Sequence, residues 1–207
     1  HETVYTVEYQ GMQIIALNSF KLKEEQIDYL ETQLKKPGFR WRVVSFHDPI
    51  FSPRGRGNYS PQTRLRWKEL IAQYNVDLVL QGHDHTYVRG QVPMIDQAGL
   101  PGQDFQTLHV TSVSGPKQYE IPEGQLESYA PEGYSAERIG VNTQFFQVIE
   151  VDGDRIDYKA YTATGELYDA ATIEKNMATG AKKIVQQIPD TAERTYTNTV
   201  EYLKNNL

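Results

Sequence analysis

Several features are scarce or missing in this sequence of 207 residues. It contains no cysteine, which excludes a disulfide framework, a cysteine-ligated zinc finger and a cysteine nucleophile. Acidic residues outnumber basic ones by 27 to 21, and the formal net charge of -6 argues against a nucleic-acid-binding protein. No apolar run approaches the ~20 residues that a helix needs to cross a bilayer, so we expect no membrane span.

Aromatic residues, in contrast, are plentiful. The chain has 14 Tyr, 7 Phe and 2 Trp, which is too many for a disordered chain. At roughly 150 residues per domain, the length suits about one domain. We expect the main folded unit over residues 1–174 and a helical extension over residues 175–207.

The first 80 residues alternate between segments with strand and helix periodicity. The pattern predicts strands over residues 3–8, 12–17, 41–46 and 76–80, and helices over residues 23–36 and 62–74. On the second helix, the inner face is predicted to consist of Leu65, Leu70, Ile71 and Tyr74. Strands that alternate with helices usually form a buried parallel sheet, so the predicted fold class is α/β, with a βαβαβ unit.

Beyond residue 85 the pattern changes to strands without helices between them. Strands are predicted over residues 86–90, 107–113, 144–151 and 155–162, mostly antiparallel. Residues 115–142 are predicted to be a long surface loop, because prolines and glycines recur there. A C-terminal helix is predicted from Asp190 onward, since apolar residues recur at helical spacing and Asp190 can cap its start.

Three of the five histidines follow directly on predicted strands. His47 comes after the strand over residues 41–46, and His83 and His85 come after the strand over residues 76–80. Because one helix separates the two strands, we expect them to be parallel neighbours whose carboxyl ends share one edge of the sheet. Imidazole nitrogens that converge there suit Zn, Fe, Ni or Cu, so the sequence predicts a metal site.

The two segments that contain these histidines resemble the motifs of a known family. The segment VSFH ends at His47, and the segment GHDHTY contains His83 and His85. They resemble the last two motifs of the calcineurin-like metallophosphoesterase superfamily, most of all its purple-acid-phosphatase-like branch. The resemblance covers most of residues 3–170 and implies the C-terminal part of a metallophosphoesterase-type α/β sandwich.

The resemblance also implies a chemistry. In the intact enzyme, His47 and His83 would bind one metal and His85 the other, in a dinuclear centre of Zn, Fe or Mn. A metal-bound hydroxide would attack the phosphorus of a phosphate-ester substrate. The same branch is commonly exported, which implies a periplasmic or secreted protein.

The departures from the family pattern are equally informative. Its first three motifs have no counterpart here: an Asp with a nearby His, a Gly-Asp whose Asp bridges the metals, and Gly-Asn-His followed by an acid. Two cations ~3.5–4 Å apart repel strongly without a bridging carboxylate. We therefore expect the chain to be a C-terminal portion whose partner is the missing N-terminal part of the domain. Alone, it should be inactive and hold one metal or none.

Two other interpretations remain open at this stage. The first is a non-catalytic binding or interaction module that keeps the histidines for structural reasons. The second is a mononuclear zinc hydrolase in which His47, His83 and His85 hold one ion and leave an open position. Metal content distinguishes these interpretations from each other.

The loop after His47 supplies candidate substrate contacts. Arg54 and Arg56 lie in the stretch RGRGNY, and arginine binds phosphate through paired hydrogen bonds. The alternative is a solvated basic loop without a role in binding. Asp48 and Asp84 flank the candidate ligands and could orient them, or could simply be turn residues.

The remaining candidates are aromatic or structural. Tyr119, Tyr129 and Tyr134 fall in the predicted loop over residues 115–142, where they could form a rim for an aromatic substrate or anchor the loop. His109 alternates with apolar neighbours along its strand, so it should point away from their face and serve a structural role.

Overall fold

The computed structural model describes residues 3–20, 24–55, 61–95 and 101–195. Its helices are α1 (Glu24–Leu34) and α2 (Pro61–Gln73), with a short 3-10 helix at Glu127–Glu132. Its strands are β1 (Tyr5–Tyr9), β2 (Met12–Ala16), β3 (Trp41–Ser45), β4 (Leu78–Gln81), β5 (Tyr87–Ile95), β6 (Pro101–Thr111), β7 (Ser135–Gly140), β8 (Phe145–Asp152), β9 (Arg155–Thr162), β10 (Leu167–Lys175) and β11 (Lys182–Gln186). The predicted α/β class, with a βαβαβ unit followed by antiparallel strands, is confirmed.

Over the residues that the structure describes, the fold consists of two sheets and one helical layer. A seven-stranded mixed sheet has the order β1-β2-β3-β4-β6-β5-β7, with β2, β3, β4 and β6 parallel. The other four strands form an antiparallel sheet in the order β11-β10-β9-β8. Adjacent residues of the central strands face opposite sides: Val44 packs with helix residues, and Val43 packs with the second sheet. Burial on both faces explains why most residues of these strands are apolar.

The predicted inner face of helix α2 is confirmed for Leu70, Ile71 and Tyr74 but not for Leu65. Trp67, Leu70 and Ile71 are buried, whereas Leu65 is 41% exposed. Trp67 lies three and four residues before the other two, which is the spacing of one helical stripe, but Leu65 lies about 200° around the helix from Trp67. The prediction of Leu65 as an inner residue is therefore wrong.

The stretch predicted as one loop over residues 115–142 contains regular structure. Strand β7 pairs with β5, and the 3-10 helix at Glu127–Glu132 precedes it. The loop prediction is wrong for these segments. Strand β7 lies at the edge of the sheet, and its first residues are exposed. Because it has few apolar residues, its sequence lacks the alternation of apolar and polar residues that marks a strand.

The C-terminal region also differs from the expectation. From the sequence, a helical extension is expected over residues 175–207. Residues 182–186 instead form strand β11, which pairs with β10. The helix predicted from Asp190 is absent over residues 190–195, where Arg194 forms a bridge with Gly140. There the backbone and side chains bond to β7: Ile139 N donates to Glu193 Oε1 at 2.9 Å. Residues 196–207 lie outside the described residues.

A buried polar network joins the two sheets. Asp169 of β10 accepts hydrogen bonds from Arg89 Nε at 2.6 Å, Arg89 Nη2 at 2.8 Å and the Tyr87 hydroxyl at 2.6 Å. Arg89 and Asp169 are both fully buried. The paired geometry compensates the buried charges, which would otherwise be costly.

A second buried cluster lies near the start of β4. The Asp77 carboxylate accepts from Lys175 Nζ at 2.9 Å and from Lys182 Nζ at 3.0 Å. It also accepts from the Arg42 backbone N–H at 2.7 Å. Burial lowers the pKa of Lys182 to about 8, although Asp77 favours its charged form. In the described part of the chain, no helix is long and apolar enough to cross a membrane.

Candidate metal centre

Both histidine motifs lie at one edge of the mixed sheet. Strands β3 and β4 pair in parallel, with Ser45 opposite Leu80, so both strands end at the same edge. The Gly82 N–H donates to His47 O at 2.9 Å and joins the two loops that follow. This is the carboxyl edge, where open α/β sheets hold their ligands.

His47 and His83 come together as the sequence predicts. His47 Nε2 and His83 Nδ1 are 3.2 Å apart. Two imidazole nitrogens bound to one zinc ion at ~2.0–2.1 Å and a tetrahedral angle would lie about 3.3 Å apart. The pair therefore fits a shared metal ion.

The turn that carries His83 and His85 has an uncommon backbone. His83 has φ +65° and His85 has φ +50°, and both values are left-handed. Such values are rare outside glycine and cluster at functional sites, where the surrounding structure maintains them.

His85 is directed to a different neighbour. Its Nδ1 lies 3.0 Å from Lys117 O, and its ring meets the Tyr119 ring edge-on at 5.1 Å. A carbonyl oxygen only accepts, so Nδ1 carries the proton in this contact, and neutral Nε2 remains a possible metal ligand. Over the residues that the structure describes, no three His, Cys, Asp or Glu side chains form a group that could hold a metal. Two of the three predicted ligands thus meet, and His85 stands apart from their contact.

Asp48 is a buried support for His83. Its Oδ1 lies 3.4 Å from His83 Nδ1, and its Oδ2 accepts from the Ser19 hydroxyl at 2.6 Å. Ser19 Oγ also accepts from the Asp48 backbone N–H at 2.9 Å. Phe20 stacks on the His47 ring with centroids 5.3 Å apart. No sequence motif pointed to Ser19 or Phe20, because they follow β2 and reach the site only through the sheet.

Asp84 is buried behind the same turn. Its Oδ2 accepts from Ser52 Oγ at 2.6 Å, whereas its Oδ1 has no hydrogen-bond partner among the described residues. Burial raises the pKa of this carboxyl, partly offset by the Ser52 hydrogen bond and the charge of His83. Asp84 therefore connects the histidine turn to the loop that carries Arg54.

The two arginine candidates have different outcomes. The Arg54 guanidinium carbon lies 3.6 Å from the centre of the Tyr119 ring, and Lys117 Nζ lies 4.9 Å from it. A hydrogen bond from Lys117, together with the charges of Lys117 and Arg54, lowers the pKa of the Tyr119 hydroxyl. Arg56 lies outside the described residues, so its predicted substrate contact stays a prediction.

The other two tyrosines anchor the loop. Tyr134 is buried and stacks on Phe51 with centroids 4.3 Å apart, and Tyr129 meets the same ring edge-on at 5.5 Å. They do not stand with Tyr119 beside His85. His109 is buried against Phe51, and burial lowers its pKa to about 3, which fits the structural role predicted for it.

A cavity of about 420 Å³ opens beside His47. The ends of β2, β3 and β4 line it, together with residues at the start of β1. The cavity lies next to the His47–His83 pair, so there is room at this edge of the sheet for further groups.

Comparison with known proteins agrees with these features. Residues 4–87 match the calcineurin-like phosphoesterase family model, a segment that includes both histidine motifs. No curated protein sequence is similar enough to count as a relative.

Solved structures show the same fold. The purple acid phosphatase PPD1 from yellow lupin (Lupinus luteus) seeds has a TM-score of 0.58 and 18% identity, covering 84% of this chain and 33% of that one. A structure of PhoD has a TM-score of 0.58 and 9% identity, covering 98% of this chain and 48% of that one. This chain thus spans a third to a half of the length of these structures. Residues 4–87, which contain both histidine motifs, thus resemble the calcineurin-like phosphoesterase family, and the chain shares its fold with these two structures.

Proposed function

We propose that this chain is the C-terminal portion of a metal-dependent phosphoesterase that hydrolyses phosphate esters. The observation that carries the proposal is the His47 Nε2 to His83 Nδ1 separation of 3.2 Å at the carboxyl edge of the parallel strands. The family match over residues 4–87 supports phosphoester hydrolysis as the reaction class.

The residues present fit a metal ion of the zinc, iron or manganese type. His47 and His83 would hold one ion through Nε2 and Nδ1, and His85 would hold a second through Nε2. A bound ion supplies positive charge to a phosphoryl oxygen and lowers the pKa of a bound water. The Lys117 carbonyl fixes the His85 ring through the other ring nitrogen, as outer partners of metal ligands commonly do, whereas Asp48 Oδ1 lies 3.4 Å from His83 Nδ1, the nitrogen that would hold the ion.

The missing oxygen ligands would come from an N-terminal part of the same domain. Strand β1 lies at the edge of the mixed sheet. Its Tyr5, Val7 and Tyr9 are 51%, 45% and 66% exposed. Thr6 bonds to Tyr29 of α1, so these three side chains point to the opposite face, the one that the second sheet covers elsewhere. An unpaired edge beside uncovered apolar side chains is a surface to which further strands can add.

The experiment is a metal analysis of the purified chain and its histidine variants. We expect one Zn, Fe or Mn per chain once the metal is supplied, and its loss in His83→Ala. His109→Gln is the matched control, because His109 is buried away from the histidine turn. A bound metal that is retained in His83→Ala contradicts the proposed site.

The same analysis decides between the alternatives. A folded chain that binds no metal, even after zinc is added, supports a non-catalytic module. One metal per chain with clear turnover of an aryl phosphate supports a mononuclear zinc hydrolase. One metal without turnover, followed by activity when an N-terminal part is supplied, supports the proposed portion of a dinuclear enzyme.

A further inference from the structure

The segment from Lys117 to Tyr119 is fixed to His85 by contacts on both sides. Lys117 O lies 3.0 Å from His85 Nδ1, and Tyr119 N donates to His85 O at 3.2 Å. The Tyr119 ring also meets the His85 ring edge-on. These contacts determine where the side chains of the segment stand relative to a candidate metal ligand.

Two cations flank the Tyr119 ring and come from separate loops. Arg54 lies 3.6 Å from the ring centre, and Lys117 lies 4.9 Å from it. Among the residues that the structure describes, neither cation forms an ion pair with a carboxylate. The Asp84 carboxyl responds to the Arg54 charge, but it is buried and bonded to Ser52 Oγ.

This cationic cluster, consisting of Arg54, Lys117 and Tyr119, is open to solvent. Lys117 is exposed, and the other two are partly exposed. The chain as a whole carries a net charge of -6, so a local pair of uncompensated cations stands out against its surroundings. A guanidinium binds phosphate or carboxylate through paired hydrogen bonds, and an ammonium adds a point charge.

We propose that the cationic cluster is a substrate subsite for a second anionic group, so that the preferred phosphate ester carries another phosphate or a carboxylate besides the scissile phosphate. The inference rests on the proposed function, because His85 marks the side on which the scissile phosphate would bind. Arg54 and Lys117 hold the second anion, and both contact the Tyr119 side chain, which positions them next to each other.

The test is the affinity of the metal-free chain for small anions, measured by calorimetry at low ionic strength. The probes are pyrophosphate and phosphoglycolate, which carry two anionic groups, and methyl phosphate, which carries one. We expect both two-group probes to bind more tightly than methyl phosphate. Tighter binding of pyrophosphate assigns the subsite to phosphate, and tighter binding of phosphoglycolate assigns it to carboxylate.

Three variants make the test specific. Arg54→Met and Lys117→Met remove one charge each and keep the apolar stem, so each should weaken pyrophosphate binding about tenfold. Lys183→Met removes an exposed charge from β11 and should leave the affinity unchanged. Pyrophosphate affinity that is the same in all three variants, or falls equally in all three, overturns the subsite.

The result is separable from that of the metal analysis, since calorimetry requires neither metal nor turnover. A chain without metal whose pyrophosphate binding depends on Arg54 and Lys117 keeps the anion subsite and rejects the phosphoesterase proposal. A chain that holds metal through His83 and binds pyrophosphate independently of both cations rejects the subsite alone.

Discussion

Replacing Asp169 with Asn should remove a large part of the stability of this protein. Asp169 accepts three hydrogen bonds, two from Arg89 and one from Tyr87, all in the dry space between the sheets. Asn has almost the same shape but no charge, so the Arg89 guanidinium would stay buried without its counter-ion. Breaking one side of a buried ion pair costs ~3–5 kcal/mol, against ~5–15 kcal/mol for the stability of a typical domain.

Two companion variants separate the charge effect from the loss of contacts. Tyr87→Phe removes one hydrogen bond to the same carboxylate and should cost about 1 kcal/mol. Arg89→Met combined with Asp169→Leu removes both charges and leaves none unpaired. This double variant should therefore be far more stable than Asp169→Asn alone.

The assay is urea unfolding followed by tryptophan fluorescence. Trp41 and Trp67 are both buried, so their emission reports loss of the core. The reasoning is refuted if Asp169→Asn costs no more than Tyr87→Phe, or if the double variant is as unstable as Asp169→Asn.

Three further predictions follow from single sites. Burial lowers the pKa of Lys182 to about 8, below its unfolded value near ~10.4, so holding its charge in the folded state costs stability below about pH 8. That cost should disappear as pH rises from 8 toward 10, so the urea midpoint of the unaltered protein should increase over this range. The midpoint of Lys182→Met should not increase; pH profiles of the two proteins that run parallel contradict the assignment. Gly90→Ala should destabilise by ~1–3 kcal/mol, because a Cβ there overlaps the Tyr134 ring; an unchanged midpoint contradicts this. Ser19→Ala removes the hydroxyl hydrogen bond to Asp48 Oδ2 and should weaken zinc binding ~10-fold in a competitive dye titration, whereas an unaltered affinity means that the hydroxyl does not position the site.

Much of the first half of the fold could be predicted from periodicity. Strands β2, β3 and β4 are mostly apolar because both faces are covered, and apolar residues recur at helical spacing in α1 and α2. Strand β7 was missed because an edge strand needs only one buried side and so carries a weak pattern. The apolar residues at helical spacing from Asp190 onward led to a helix prediction that is wrong over residues 190–195. Ile139 N of β7 donates to the Glu193 side chain and Val141 N donates to Arg194 O, and these long-range hydrogen bonds, which the local sequence does not reveal, hold that segment extended.

The candidate site could be predicted where its residues follow strands that are neighbours both in sequence and in the sheet. His47 and His83 end neighbouring parallel strands, so their meeting follows from the βαβ pattern. Ser19 and Lys117 could not be found in this way, because they approach the histidines only through tertiary packing over a long sequence separation. The sequence motif also gave no sign of the left-handed backbone at His83, since that backbone depends on the surrounding contacts.

The left-handed backbone of the histidine turn has a consequence for how the protein can change over evolutionary time. Positive φ at His83 and His85 costs on the order of 1–3 kcal/mol at each residue, and glycine would avoid that cost. Selection for stability alone would therefore favour glycine at both positions. A lineage that keeps both imidazoles therefore retains a less stable turn. In a lineage that no longer needs the metal ligands, we expect glycine to replace His83 and His85 before other residues of the site change.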